Sequence, residues 1–175
     1  MATGSQFWAF SLGVYADPAV QKECLDLQDR FGVDVNMLLF CTFAGAVHSA
    51  LLPDADINDA AAAVRDWHEN VVANLREARR ALKRFAAAPS PVATSAEALR
   101  TSVKASEHEA ERIEQTILDV WCALRLDRLP RTEAAEAVAA NIRRLLARHE
   151  GRDGRPEMPE HLVAAALAGA RSRGC

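Results

Sequence analysis

Residues 94–124, TSAEALRTSVKASEHEAERIEQTILDVWCAL, decide the fold. Apolar or small residues recur at Leu99, Val103, Ser106, Ala110, Ile113, Ile117, Val120 and Leu124, in steps alternating between four and three over about four heptads. That spacing belongs to a long helix presenting one seam to a partner. Thr94 followed three residues later by Glu97 reads as a capping box at its start. The partner precedes it, with apolar residues at Val64, Trp67, Val71, Leu75, Ala78, Leu82 and Phe85, again in steps of three or four. Residues 86–93, with Pro89 and Pro91, break the pattern. Two such helices across a loop of about eight residues are expected to fold back as an antiparallel hairpin over residues 58–127.

The rest of the chain is also helical in period, and strand-like alternation is missing. A first helix is expected over Gln6–Tyr15, with Trp8, Leu12 and Tyr15 on one face. Asp17-Pro18 starts a second, since Asp is a good N-cap and Pro at the next position has no N–H to leave unpaired. It carries Val20, Cys24, Leu27 and Phe31 as a stripe and stops at Gly32, suited to a left-handed C-terminal position. Asp34 caps a third helix, apolar almost all round from Leu38 to Leu52 and so enclosed by the others. Gly45 and Ser49 would let a neighbouring backbone come close, Pro53 ends the helix, and Asp54 to Asn58 reads as a turn. After Leu129-Pro130, Thr132 is placed to cap a helix carrying Val138, Ile142, Leu145 and His149; a short alanine-rich helix covers about 160–170. The expected fold class is all-α: a helical domain over 1–129 containing the hairpin, then a C-terminal helical extension over 130–175 with one or two peripheral helices and a mobile linker near 150–159.

Composition excludes several functions. The 175 residues are half apolar and about a quarter charged, with a net charge of −3, so the chain has no global basic field of the kind that attracts nucleic acid. The apolar run Val35–Leu52 carries Asn36, Thr42, His48 and Ser49 and is too polar for a membrane span. No basic residue precedes Lys22, which argues against a signal peptide and makes the cytoplasm the expected location. Cys24, Cys41, Cys122 and Cys175 are widely separated, without the clustering of a disulfide framework or zinc knuckle, and are expected to behave as buried thiols. There is no Gly-rich phosphate loop, H-E-x-x-H, Glu-x-x-His pair or G-x-S-x-G. Cys41 and His48 share a helical face but lack further ligands. No cofactor and no metal is expected.

Two residue sets carry the remaining functional signal. Trp8, Tyr15, Gln28, Asp29, Asp34 and Asn36 converge near the turn between the second and third helices, where they could line a small pocket beside a helix N-terminus. The plainer account makes Asp34 a cap and packs the aromatics. The second set is a basic block. Residues 1–75 hold 3 basic and 10 acidic groups, whereas residues 76–104 hold 7 basic and 2 acidic. Arg76, Arg79, Arg80, Lys83, Arg84, Arg100 and Lys104 therefore fall at the tip of the hairpin. Reflection about a turn near residue 90 puts Glu107, Glu109, Glu111 and Glu114 opposite residues 66–73, leaving the tip's charge uncompensated.

The segments Phe10-Ser11-Leu12 with Tyr15, Cys24-Leu25-x-Leu27-Gln28-Asp29, and Asp34-Val35-Asn36-x-Leu38-Leu39-Phe40-Cys41 resemble a family of short helical bacterial proteins of unknown function. The likeness continues through Trp67-x-x-x-Val71-Val72 and Leu75-Arg76-x-x-Arg79-Arg80, and covers roughly residues 5–125. It implies a lineage and no chemistry. The reading favoured by the residues is a non-enzymatic interaction or regulatory protein working through the basic tip, on an unidentified protein partner or a second copy of itself. A small-molecule or enzymatic pocket at the second-to-third helix turn is one alternative. Nucleic-acid binding is another, less favoured because the overall charge is acidic.

Overall fold

The structure is a computed structural model, and it describes residues 5–87, 91–151 and 154–171. It is all-α, with no strand among the described residues. The helices are α1 (Gln6–Tyr15), α2 (Pro18–Phe31), α3 (Val35–His48), α4 (Asp54–Trp67), α5 (Ala73–Ala87), α6 (Ala93–Ala123), α7 (Ala134–Leu146) and α8 (Glu160–Arg171). A π-helical turn, His68–Val72, joins α4 to α5 without a break. None of these helices is long and apolar enough to cross a membrane.

Local chemistry explains the first three helices. Asp17 accepts the N–H of Ala19 with Pro18 in the first turn, and Gly32 closes α2 at φ 68°, a conformation cheap only for glycine. Asp34 accepts the N–H groups of Asn36 and Met37. α3 is the central element, buried from Asn36 through Ala46. Its phenylalanines meet those of α1: Phe7 stacks on Phe43 with centroids 5.1 Å apart and meets Phe40 edge-on at 5.8 Å. Each such side chain contributes about 1.5–3 kcal/mol by leaving water.

α3 stops at His48, earlier than its apolar run suggests. Ser49 turns left-handed at φ 53°. Ala50 to Leu52 run on outside the helix, because the residue before a proline avoids α geometry. The freed backbone is paired across the chain: Leu51 N–H donates to Pro130 O, and Thr132 N–H to Ser49 O. Fully buried Asn141 of α7 accepts Leu52 N–H at 2.8 Å and donates to the carbonyls of Cys41 and Ala50. Asp54 to Asn58, expected as a turn, form the first turn of α4, where Asp54 and Asp56 suit the positive end of the helix dipole.

α5 and α6 lie side by side in opposite directions. Arg76 meets Glu107 and Glu111, Trp67 Nε1 donates to Ala110 O, and Asp59 meets Trp121 and Arg125. The seam of α6 differs from the expected one. Leu99, Val120 and Leu124 are exposed, while Glu107, Glu114 and Gln115 are buried. The proposed capping box is absent: α6 starts at Ala93 with no side-chain cap, and Glu97 bonds Arg100 instead. Thr132 does not cap α7 either; Glu133 holds that position, and the Thr132 hydroxyl donates to Glu136.

The core also crosses the boundary expected at residue 130. Val138, Ile142, Leu145 and Leu146 of α7 and Leu162 and Ala166 of α8 pack in one cluster with α1–α4 and α6. α7 lies directly on α3, and the crossing sits at Gly45. A Cβ there would stand 2.6 Å from Val138 N and 2.8 Å from its Cα, both rigid backbone. A Cβ on Gly13, within α1, would meet nothing within 4 Å. The two glycines therefore predict opposite signs. Gly45→Ala should cost about 3 kcal/mol by overpacking, lowering the melting temperature by roughly 6–12 °C in a domain of this size. Gly13→Ala should leave it unchanged or raise it through better helix propensity. Calorimetry on the two variants checks both.

Candidate functional site

A cavity of about 810 Å³ opens between α1, α2, α3 and the α5–α6 pair. Its α1 wall is the face carrying Trp8, Leu12 and Tyr15, which explains why these residues are not core. α1 buries Phe7, Phe10, Ser11 and Val14 instead, leaving Trp8 and Tyr15 half-buried and Leu12 about half exposed. Leu25 and Gln28 come from α2, and Val35, Asn36 and Leu39 from the start of α3. Arg76 and Arg79 enter from α5, and α6 closes the cavity between Thr101 and Gln115. Trp8 and His108 bridge the α1–α6 side with ring centroids 5.0 Å apart.

The cations and carboxylates of this cavity are arranged in pairs. Arg76 donates from Nε to Glu107 at 3.3 Å and from Nη2 to Glu111 at 3.0 Å. Arg79 grips Glu107 through Nε and through Nη2 at 3.2 Å. Burial works against a charged Glu107, but hydrogen bonds and charge from Arg79 and Arg76 outweigh it and hold its carboxyl below the usual range. Burial pushes Glu111 the other way, upward, in spite of Arg76. Burial also pushes the Tyr15 phenol up to about 12, assisted by the Cys24 and Glu111 charges, so it stays neutral and can donate. Lys104 is unpaired among the described residues, so the three cations exceed the two carboxylates by one charge.

Behind Asn36 lies a second polar layer. Glu114 of α6 has no exposure; its Oε2 accepts from Asn36 Nδ2 at 2.9 Å, and its Oε1 lies 3.1 Å from His68 Nδ1. His68 Nδ1 is also 3.4 Å from Asp34 Oδ2, while Asp34 Oδ1 is spent on the α3 cap. Gln115 Nε2 donates to Asn36 Oδ1 at 2.8 Å, leaving Gln115 Oε1 buried without a partner. Burial raises the Glu114 pKa and the Asp34 charge adds to it; the hydrogen bond to Glu114 raises that of His68 against the opposing effect of burial.

Of the residues singled out in the sequence, Trp8, Tyr15, Gln28 and Asn36 line the cavity, and Asp34 stands behind it as cap and His68 neighbour. Asp29 is exposed and meets Arg80 at 3.5 Å. The basic block does not stand uncompensated. Arg76 and Arg79 turn inward to Glu107 and Glu111, because long arginine side chains reach one to two turns beyond the position they face. Arg100 pairs with Glu97 on its own helix. Lys83 and Arg84 remain exposed at the tip, with no ion pair among the described residues. The sequence reading named Glu107, Glu111 and Glu114 only as an acidic run opposite residues 66–73, and it did not single out His68 or Gln115. The signal for the glutamates was present as Glu107, Glu111 and Glu114 at i, i+4 and i+7, one face of α6.

Asp34, His68 and Glu114, scattered in sequence, offer one ligand atom each within 4.8 Å of one another. Cys41 and His48, by contrast, are a buried thiol and a ring packed edge-on against Phe43. Burial pushes the thiols of Cys24, Cys41 and Cys122 up to about 12, which leaves them protonated and unreactive. Cys175 lies outside the described residues.

The model of a protein family of unknown function, DUF2390, matches residues 6–118. The chain belongs to that family. Every cavity-lining residue and all three of Asp34, His68 and Glu114 fall within the DUF2390 span, whereas α7 and α8 lie beyond it. No curated protein and no solved structure matches the chain.

The depressed pKa of Glu107 fixes a pH dependence. Its contribution to stability is complete above the ordinary carboxyl value of 4.5 and is lost as pH falls through the lower folded value. Glu107→Gln should therefore cost about 2 kcal/mol at pH 7, within the range for charged hydrogen bonds. The gap to the wild type should narrow progressively as pH falls below 4.5. Urea titrations at a series of pH values from 7 downward measure it.

Proposed function

We propose that this protein binds a small amphipathic carboxylate, with its apolar body against Trp8, Leu12 and Leu39 and its anionic end at Arg76, Arg79 and Lys104. The supporting observation is that Trp8, Tyr15, Gln28 and Asn36 of one residue set and Arg76, Arg79 and Lys104 of the other line a single cavity. Its volume lies in the range that encloses drug-sized ligands. Each arginine keeps Nη1 free of any described partner while Nε and Nη2 are fixed by glutamates, so the guanidinium planes are already oriented. Oriented donors spare a ligand part of the ordering cost of binding. The excess positive charge selects an anion over a neutral analogue.

The same geometry weakens the other readings. A docking patch at the hairpin tip drew its force from unpaired arginines, and Arg76 and Arg79 are paired within the chain. Phosphate-backbone binding loses the same cations in a chain of net charge −3.

A thermal-shift and native-mass panel of indole, phenyl and medium-chain alkyl carboxylates, each beside its primary amide, tests this. A carboxylate at a hundred times its Kd should stabilise the fold by about 2.7 kcal/mol. Its amide should bind at least tenfold more weakly. Ala105→Trp fills the cavity from an exposed position on α6 and should abolish the shift while leaving the unliganded melting temperature nearly unchanged. A panel in which no carboxylate binds, or binding that survives Ala105→Trp, overturns the proposal.

A further inference from the structure

Asp34, His68 and Glu114 come from the N-cap of α3, the π-helical turn and the middle of α6, so three separate elements converge on one point. We infer that they form a binding site for a divalent transition-metal cation, with Zn²⁺ the best match to the donor set. None of the three donors lines the carboxylate cavity, although Asn36 and Gln115 border both sites.

Geometry is the first support. The donor atoms are one imidazole nitrogen and two carboxylate oxygens, with Nδ1 of His68 lying 3.4 Å from Asp34 Oδ2 and 3.1 Å from Glu114 Oε1. A tetrahedral ion with bonds of about 2.0–2.1 Å needs donor–donor edges of roughly 3.3 Å. Those two contacts are therefore near the edges a zinc ion requires, and the third, between the two carboxylate oxygens, lies within 4.8 Å.

Charge is the second. Two carboxylates meet here, and Glu114 is wholly withdrawn from water. A protonated imidazole supplies one positive charge against their two, and Arg76 is already held by Glu107 and Glu111. A divalent cation bound to neutral imidazole balances both carboxylates, and an unbalanced buried charge is among the costliest features a fold can carry.

The outer layer is the third. Metal-bound carboxylates are held in place by further hydrogen bonds. Here the Asn36 amide engages Glu114 Oε2 and leaves Oε1 facing His68, and Gln115 in turn fixes Asn36. The helix N–H groups engage Asp34 Oδ1 and leave Oδ2 facing His68. The His68 and Asp34 side chains are each 25% exposed, which gives an ion a route in and water a fourth position. A π-helical turn carries His68, and such turns recur at functional sites.

Calorimetric titration of ZnCl₂ into chelator-treated protein without a polyhistidine tag tests the site, with Co²⁺ absorption as a second readout. One equivalent should bind, and Co²⁺ should give the visible bands of a tetrahedral N/O site. Asp34→Asn keeps the capping oxygen and removes only the ligand charge, so it should fold normally and lose at least tenfold in affinity. Glu114→Gln should lose more. Absence of one-equivalent binding in the wild type, or wild-type affinity in Asp34→Asn, overturns the inference.

Discussion

Glu107 and Glu114 lie two turns apart on the same face of α6, both buried, and each can stay there only if α5, α3 and the π-helical turn present the right partners. That requirement sets the register of the longest helix. Sliding α6 by one turn would take Glu107 from Arg76 and Arg79 and Glu114 from Asn36 and His68. Stranding either buried carboxylate costs several kcal/mol, far more than an apolar seam loses by a one-turn shift. The cavity is a by-product of the same constraint. Arginines held back against α6 cannot fill the space between α1 and α2, and Trp8 and Tyr15 face that space because the core has claimed the other side of α1.

Where a feature depends on neighbours in sequence, it was legible. Asp17-Pro18, Gly32 and Asp34 act locally along the chain, and the end of α1, both bounds of α2 and the start of α3 follow from them. The expected seam of α6 went wrong because it equated inside with apolar. Glu107, Glu114 and Gln115 are inside because Arg76, His68 and Asn36, from 31 to 79 residues away, satisfy them. No window along the chain contains both halves of such a pair. The same limit hid Asn141, whose amide closes the backbone left open where α3 stops. The candidate pocket was legible in part, since four of its six named residues do line the cavity. The basic block was legible as charge but not as direction.

The family span and the core do not coincide. Residues 6–118 supply both polar layers, yet α3 buries its far face on α7, and Gly45 is matched to a backbone outside that span. Chemistry and stability are thus divided along the chain, with the site in the first two thirds and a large share of the support in the last.

α5 has no fully buried residue, and the bonds from Arg76 and Arg79 to α6 supply much of what secures it. α3, by contrast, is enclosed along most of its length. Segments with few interior groups open at a fraction of the global unfolding free energy. The arginine wall of the cavity is thus fastened by polar contacts and the opposite wall by the phenylalanine cluster, so the two sides differ in what it takes to loosen them.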